Sequence, residues 1–510
     1  MAATDAPYTA TAAELEEKAK LQRHFGRFDI LFFLVCTIVG VDTIGSVAKQ
    51  GPEAFTWILV TAAIFFVPSA LLFAELGTAF PEEGGPYVWT RLAFGHLAGA
   101  INNVLYWITN PVWLGGTLAT LAAATVGTFF TDAGELSTPM FYVFTLAFIW
   151  VGVAAAVLSF RVGKWIPTIG AWSRFVLLGF FTLSTVVYGI KHGFQGIPAG
   201  DFRPTYGGFV LLLPVLLFNF VGFELPNSAG DEMKDAQTDV PFAIFRSTIL
   251  AVLLYALPIL GVLLVLPAES RSSLGGFIDA VKAVFTVYGG EVTKDGATLT
   301  GAGEVLGDLA AILFVLCLLS SGVTWIMGSD RALAVSGYDG AAPRALGVIN
   351  RRYGTPVRVN LLSGAVSTVV LVASRLVTGS SGDRLFNTVL GLAISTTLVS
   401  YLGIFPALVR LRTRLPRVNR PYRAPAPMFL SILLTALIVF ATLQLLMPGF
   451  GYDWFGDATR PEGWDAGERL TYLVTVLVPL LVFIGVGVLF WALGKPTRER
   501  IATRTPTAGS

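Results

Sequence analysis

Twelve stretches of mostly apolar residues, each long enough to cross a bilayer, dictate what this chain can become. They run near 28–48, 53–79, 96–130, 139–160, 164–190, 206–229, 242–266, 305–329, 357–376, 385–409, 426–447 and 470–493. In hydrocarbon no water satisfies backbone N–H and C=O groups. An apolar segment of about 20 residues is therefore stable there only as a helix. The longest run, Leu97 to Thr131, holds no charged residue. It exceeds one upright span and falls short of two, so it reads as one long, tilted helix. Composition agrees: 54% of residues are hydrophobic and 13% charged, against about 25% charged in a soluble domain. The expected fold class is all-α integral membrane, with about twelve transmembrane helices.

Residues 1–27 are polar, with no apolar stretch before Phe28. No cleavable signal is expected there, so the first span stays in the mature chain. With the N-terminus inside and twelve spans, cytoplasmic segments hold 24 Lys and Arg and external ones 10. That bias sets orientation. The expectation is a multi-pass protein of the plasma membrane with both termini cytoplasmic. It divides into a cytoplasmic segment 1–27, a ten-span core 28–409, a basic, proline-rich cytoplasmic linker 410–425, two accessory spans over 426–494, and a cytoplasmic tail 495–510. The last dozen residues read as disordered. In the outer connection 267–304, the amphipathic stretch Gly276 to Tyr288 is either an interfacial loop helix or a lid.

A net charge of +2 provides no broad basic field for nucleic acid. Cys36 and Cys317 both lie inside apolar runs and read as buried thiols. Three histidines make no metal cluster. There is no P-loop and no His-Glu-x-x-His motif, so no enzyme, metal or cofactor is expected.

Two spans are interrupted. In the first, Ile38-Val39-Gly40-Val41-Asp42-Thr43-Ile44-Gly45-Ser46 sets two glycines and a carboxylate inside an apolar run. In the sixth, Asn219-Phe220-Val221-Gly222-Phe223-Glu224-Leu225-Pro226-Asn227 does the same and adds a proline. Glycine weakens a helix and proline removes a donor. Secondary transporters build midplane sites from such breaks. The breaks lie five spans apart, an odd number, as in an inverted five-plus-five repeat over about 28–190 and 206–409.

Specific motifs accompany this frame. Pro81-Glu82-Glu83-Gly84-Gly85-Pro86-Tyr87-Val88-Trp89 with Ala93-Phe94-Gly95 resembles the loop after span 2 in the amino acid–polyamine–organocation superfamily. Gly222-Phe223-Glu224 followed by Asp231-Glu232-Met233-Lys234 is similar to its span 6 signature. Arg331, Tyr338-Asp339-Gly340-Ala341-Ala342-Pro343 and Arg352-Tyr353-Gly354-Thr355-Pro356 resemble its stretch after span 8. Arg420-Pro421-Tyr422-Arg423-Ala424-Pro425 resembles its segment before span 11. The matches keep their order from residue 28 to about 430. The resemblance implies the LeuT-type fold with broken helices 1 and 6, and sodium-independent transport or exchange of amino acids or amines. Where members that bind amino acids carry a Gly-Ser-Gly-like run, this chain reads Gly40-Val41-Asp42-Thr43-Ile44-Gly45. An Asp there repels a carboxylate and favours a substrate whose positive charge dominates.

The expected substrate-binding residues are Gly40, Val41, Asp42, Thr43, Ile44 and Gly45 at the first break and Phe220, Gly222, Phe223 and Glu224 at the second. Trp107, Asn110 and Trp113 on span 3 join them. Asp42 and Glu224 are intramembrane acids, costly in lipid and therefore functional candidates. They either anchor a cation or carry a coupling proton; the other reading is that each caps broken backbone. Trp107, Asn110 and Trp113 cage a cation or merely pack. Phe220 and Phe223 are candidate gates. Arg174 falls near a position where relatives have a lysine, and by that resemblance its charge makes sodium unnecessary; the alternative is snorkelling or a simple ion pair. Ser320 and Ser321 read as interhelical hydrogen-bonding residues.

Three functional readings follow. The first is a secondary transporter of an amino acid or small organic amine, driven by protons or exchange. The second is a polyamine or organic-cation permease anchored by Asp42 and Glu224. The third, from a different class, is a transporter-like nutrient sensor. The partners expected are a small-molecule amino acid or amine, protons and the lipid bilayer, with no nucleic acid.

Overall fold

The computed structural model describes residues 25–131, 133–158, 165–293, 296–378, 382–461 and 464–504. Most of the segment 1–27 and the end of the tail lie outside them. In chain order the helices are α1 (Arg27–Ile38), α2 (Ile44–Lys49), α3 (Glu53–Ala79), α4 (Pro86–Phe94), α5 (His96–Phe130), α6 (Thr138–Val157), α7 (Trp165–His192) and α8 (Tyr206–Asn219). They continue as α9 (Ala236–Val265), α10 (Gly276–Phe285), α11 (Ala302–Tyr338), α12 (Val357–Thr378), α13 (Gly382–Arg414), α14 (Pro427–Leu446), α15 (Arg469–Leu493) and α16 (Lys495–Arg504). A two-stranded antiparallel hairpin, β1 (Gly290–Thr293) and β2 (Gly296–Leu299), is the one sheet among the described residues.

Among the described residues, eleven stretches are long and apolar enough to span a membrane, and α8 is a shorter apolar helix. The sixth expected span, 206–229, is thus split. At 1.5 Å per residue, fourteen residues of α8 cover about 21 Å, short of the roughly 30 Å of hydrocarbon. The chain then unwinds at Phe220–Glu224 and resumes as a 3₁₀ helix, Leu225–Glu232. The uncharged run does form one helix, α5. It carries Pro111 and then a π-helical turn, Trp113–Leu118.

The core sits around the first and third spans. The stretch Arg27–Lys49 is 89% buried over its most apolar window and α5 78%, whereas α15 is 17% buried and lies at the edge. α1 packs on α7 and α9, and α7 on α11; α5 packs on α11, α12, α13 and α15. The amphipathic stretch after α9 is a packed helix. Phe277, Ile278, Val281, Val284 and Phe285 of α10 are buried, against α2, α7, α9 and α11.

The linker after α13 is tied down. Glu75 of α3 is fully buried. Its carboxylate accepts from Arg412 Nε at 2.8 Å and from the Ala424 amide at 2.7 Å, and pairs with Arg420 at 3.3 Å. Much of the expected disordered tail is helical: α16 runs to Arg504, and Arg498 donates to the carbonyls of Gly340 and Trp491. The stretch Pro86–Phe94, read as part of a loop, is also a helix.

Candidate functional site

α1 stops at Ile38 because Val39 and Gly40 turn extended, with ψ of 81° and 113°. A helix ending inside a bundle leaves carbonyls without intrahelical donors. Here side chains from three other helices supply them. Ser321 of α11 reaches the Cys36 carbonyl at 3.4 Å, and Trp325 Nε1 the Thr37 carbonyl at 3.0 Å. Tyr255 Oη of α9 donates to the Ile38 carbonyl at 2.8 Å and accepts from the Gly40 amide at 2.7 Å. Arg174 Nε of α7 donates to the Val39 carbonyl at 2.7 Å. One 3₁₀ turn, Val41–Thr43, follows before α2 begins.

Arg174 is fully buried. Beyond Val39 it donates to the carbonyls of Gly170 (2.8 Å) and Cys317 (2.9 Å) and to both Ser320 and Ser321. It does not snorkel, and among the described residues it forms no ion pair. It joins the first break to α11, and the two serines do bond between helices.

At the second break Gly222 has φ +121°, a conformation that L side chains rarely adopt. A Cβ there would also lie 2.6 Å from Thr37 Cγ2. Its amide donates to Tyr401 Oη of α13 at 3.2 Å. Phe220 and Phe223 stack on Phe66 of α3, with ring centroids 4.5 and 4.6 Å apart. Phe66 closes a π-helical turn, Ala62–Phe66. Glu224 is fully buried, and its Oε1 accepts from Tyr106 Oη at 3.0 Å.

The two breaks flank a small cavity with a volume of about 20 Å³, room for one or two water molecules. Gly40, Asp42 and Thr43 line it from the first break, Asn110 and Trp113 from α5, and Phe218, Asn219 and Val221 from the second break. Thr37, Thr109, Tyr255, Trp325 and Thr397 complete its main walls. Trp113 Nε1 donates to Asp42 Oδ2 at 2.8 Å. Asp42 Oδ1, Asn110 Oδ1 and Asn219 Oδ1 are buried without a hydrogen-bond partner. Among the described residues no Lys, Arg or His lines the cavity.

The expected site residues thus divide. Gly40, Asp42, Thr43, Asn110 and Trp113 come together. Glu224 does not share that wall; it belongs with Tyr106 and Tyr401. Phe220 and Phe223 lie in the Phe66 stack. Val41 and Ile44 are core residues. Gly45 serves close packing, since a Cβ there would meet the Ser273 carbonyl at 2.7 Å. Trp107 is turned elsewhere: its Nε1 donates to Asp330 Oδ1 (3.0 Å) and Ser363 (2.9 Å). Asp330 also accepts from Ser363 (2.7 Å) and Asn360 (3.0 Å), a buried carboxylate network that sequence reading missed. Tyr255, Trp325, Tyr401 and Asn219 were missed as well. The signal for Tyr255 was a lone hydroxyl in an apolar run, and for Asn219 its place at the edge of the break.

Two interrupted helices around a small, acceptor-rich cavity, within a bundle of apolar spans, are the arrangement from which membrane transporters build substrate sites. Residues 25–478 match the family described as amino acid permease, and the chain belongs to that family. It is a transporter of the amino acid and amine class within the amino acid–polyamine–organocation superfamily. An uncharacterized transporter of Legionella pneumophila is 29% identical, over 83% of this chain and 88% of the relative. The probable agmatine/putrescine antiporter AguD of Lactococcus lactis is 24% identical, over 91% and 93%. The branched-chain amino acid permease BcaP of Bacillus subtilis is 23% identical, over 92% and 94%.

Proposed function

We propose that this chain is a secondary active transporter of small organic amines, anchoring the substrate's ammonium group on Asp42. One observation carries the reading: the cavity wall joins the Asp42 carboxylate to the Asn110 and Asn219 side-chain oxygens, each with an unpartnered oxygen, and includes no cationic side chain. An ammonium group is three donors with no acceptor. It meets those oxygens, whereas a substrate carboxylate would meet Asp42 and be repelled. Trp113 and Trp325, both on the wall, add aromatic rings near the same cation. The relative named as an agmatine/putrescine antiporter supports an amine.

In this reading residues 28–409 form the transport core, 426–494 the accessory helices, and both termini are cytoplasmic in the cell membrane. Arg174 holds a fixed charge at the first break, which makes sodium unnecessary. Coupling is by proton or by exchange, with Glu224 as the proton-carrying candidate beside the cavity. A bundle of the first, second, sixth and seventh spans rocks against the third, fourth, eighth and ninth. The cavity is too small for a diamine as it stands, so binding goes with movement of its walls. The substrate drives that movement only through a higher affinity for one state.

The test is a thermal-shift screen of purified protein against putrescine, agmatine, monoamines and α-amino acids, repeated on Asp42→Asn. A ligand that binds the folded state raises the melting temperature with its concentration. Amines stabilise the wild type and not the variant. Stabilisation by α-amino acids alone, equal in both proteins, would sink the reading.

A further inference from the structure

A larger concavity shares no lining residue with the substrate cavity. α13 and α14 part along their outer faces to leave an apolar groove of about 840 Å³. Met428, Ile432, Val439 and Leu443 of α14 line it and are exposed. From Met428 to Leu443 the helix rises about 22 Å, more than the roughly 15 Å of one leaflet's hydrocarbon. At the mouth stands Arg410, near the C-terminal end of α13. Its side chain is exposed, and no carboxylate pairs with it among the described residues. By contrast Arg412 and Arg420, on the same linker, are taken up by Glu75.

We propose that this groove holds one anionic phospholipid from the leaflet on the linker's side. Its headgroup phosphate sits on Arg410, and one acyl chain lies along α14. An apolar trough takes the chain without discriminating among lipids. An unpaired arginine at the headgroup level discriminates by charge, since basic residues between membrane helices recognise anionic headgroups. The exposed Arg417 and Arg423 of the linker add positive charge on the same side. The site bears on the transport core through α13. That helix carries Thr397 of the cavity wall, Tyr401 at the second break, and Pro406 on the groove wall before Arg410.

The full-length protein in detergent is incubated with equimolar phosphatidylglycerol and phosphatidylcholine of identical acyl chains, and retained lipids are counted by native mass spectrometry. The wild type retains phosphatidylglycerol about fivefold over phosphatidylcholine, as expected for one basic residue at a headgroup. Arg410→Gln loses the preference while still taking up lipid. Arg500→Gln, an exposed arginine outside the groove, keeps it. Ala436→Phe fills the groove and lowers retention of both lipids. Equal retention of the two lipids by the wild type, or an undiminished preference in Arg410→Gln, would overturn the proposal. These readouts need no transport, so they stand or fall apart from the amine assignment.

Discussion

Arg174 Nε donates to the carbonyl oxygen of Val39 across 2.7 Å, tying α7 to the end of the interrupted helix α1. The same guanidinium reaches the Cys317 carbonyl and two serines of α11. It therefore fixes the break and supplies charge at once.

Arg174→Met leaves the Val39 and Cys317 carbonyls without that donor inside the bundle. Each buried carbonyl left without a donor costs about 1–3 kcal/mol. The melting temperature in detergent falls and uptake is lost. Arg174→Lys keeps the charge but not the planar fork, and recovers part of the stability. Initial rates in wild-type proteoliposomes are the same in sodium and potassium buffers. A sodium requirement would remove Arg174 from its assigned role.

Trp113→Phe keeps a ring on the cavity wall and removes the N–H that holds Asp42 Oδ2. A hydrogen bond to a charged group contributes about 1.5–3 kcal/mol, and part of it survives through water. The dissociation constant for amines is expected to rise roughly tenfold. The comparison is a thermal-shift titration of both proteins with one amine.

Both breaks were legible because their cause is local: Gly40 and Gly222 weaken the helix, Pro226 denies it a donor, and Asp42 and Glu224 have no other place in an apolar run. What completes the breaks was not legible. Tyr255 and Trp325 come from spans more than 200 residues away in sequence, and only packing brings their donors to the carbonyls. Trp107 shows the opposite failure. Three residues advance a helix by about 300°, so each such step slips by about 60°. Trp107 and Trp113 therefore diverge by about 120°. One faces Asp42 and the other Asp330. The short span at α8 follows from the same break that marked it in the sequence. The linker's pairing with Glu75 needed the tertiary structure, because a lone Glu in an apolar run names no partner.

Gly222→Ala meets two obstacles: a φ of +121° that a Cβ disfavours, and Thr37 Cγ2 at 2.6 Å. Backbone strain of this kind costs about 1–3 kcal/mol, and the clash adds to it. The second break must then shift away from α1. Transport is lost while the protein still purifies as a folded monodisperse peak. Full activity in this variant would show that the unwound segment does not need its present path.

Glu224→Gln separates binding from turnover. Glu224 lies off the cavity wall and takes its hydrogen bond from Tyr106 at 3.0 Å, near the Tyr401 hydroxyl that receives the Gly222 amide. Glutamine keeps the shape and can still accept from Tyr106, but it carries neither charge nor an exchangeable carboxyl proton. In the proposed reading amine affinity rests on Asp42, so the dissociation constant from thermal-shift titration changes by less than about twofold. The cycle, in the same reading, loses the group proposed to take up a proton beside the second break. Net uptake driven by a pH gradient falls at least about tenfold, equivalent to about 1.4 kcal/mol on the barrier. Exchange of labelled for unlabelled amine, which needs no net proton movement, is retained. If uptake and exchange fall together, Glu224 acts through the geometry of the break. If neither falls, the proton travels by another group.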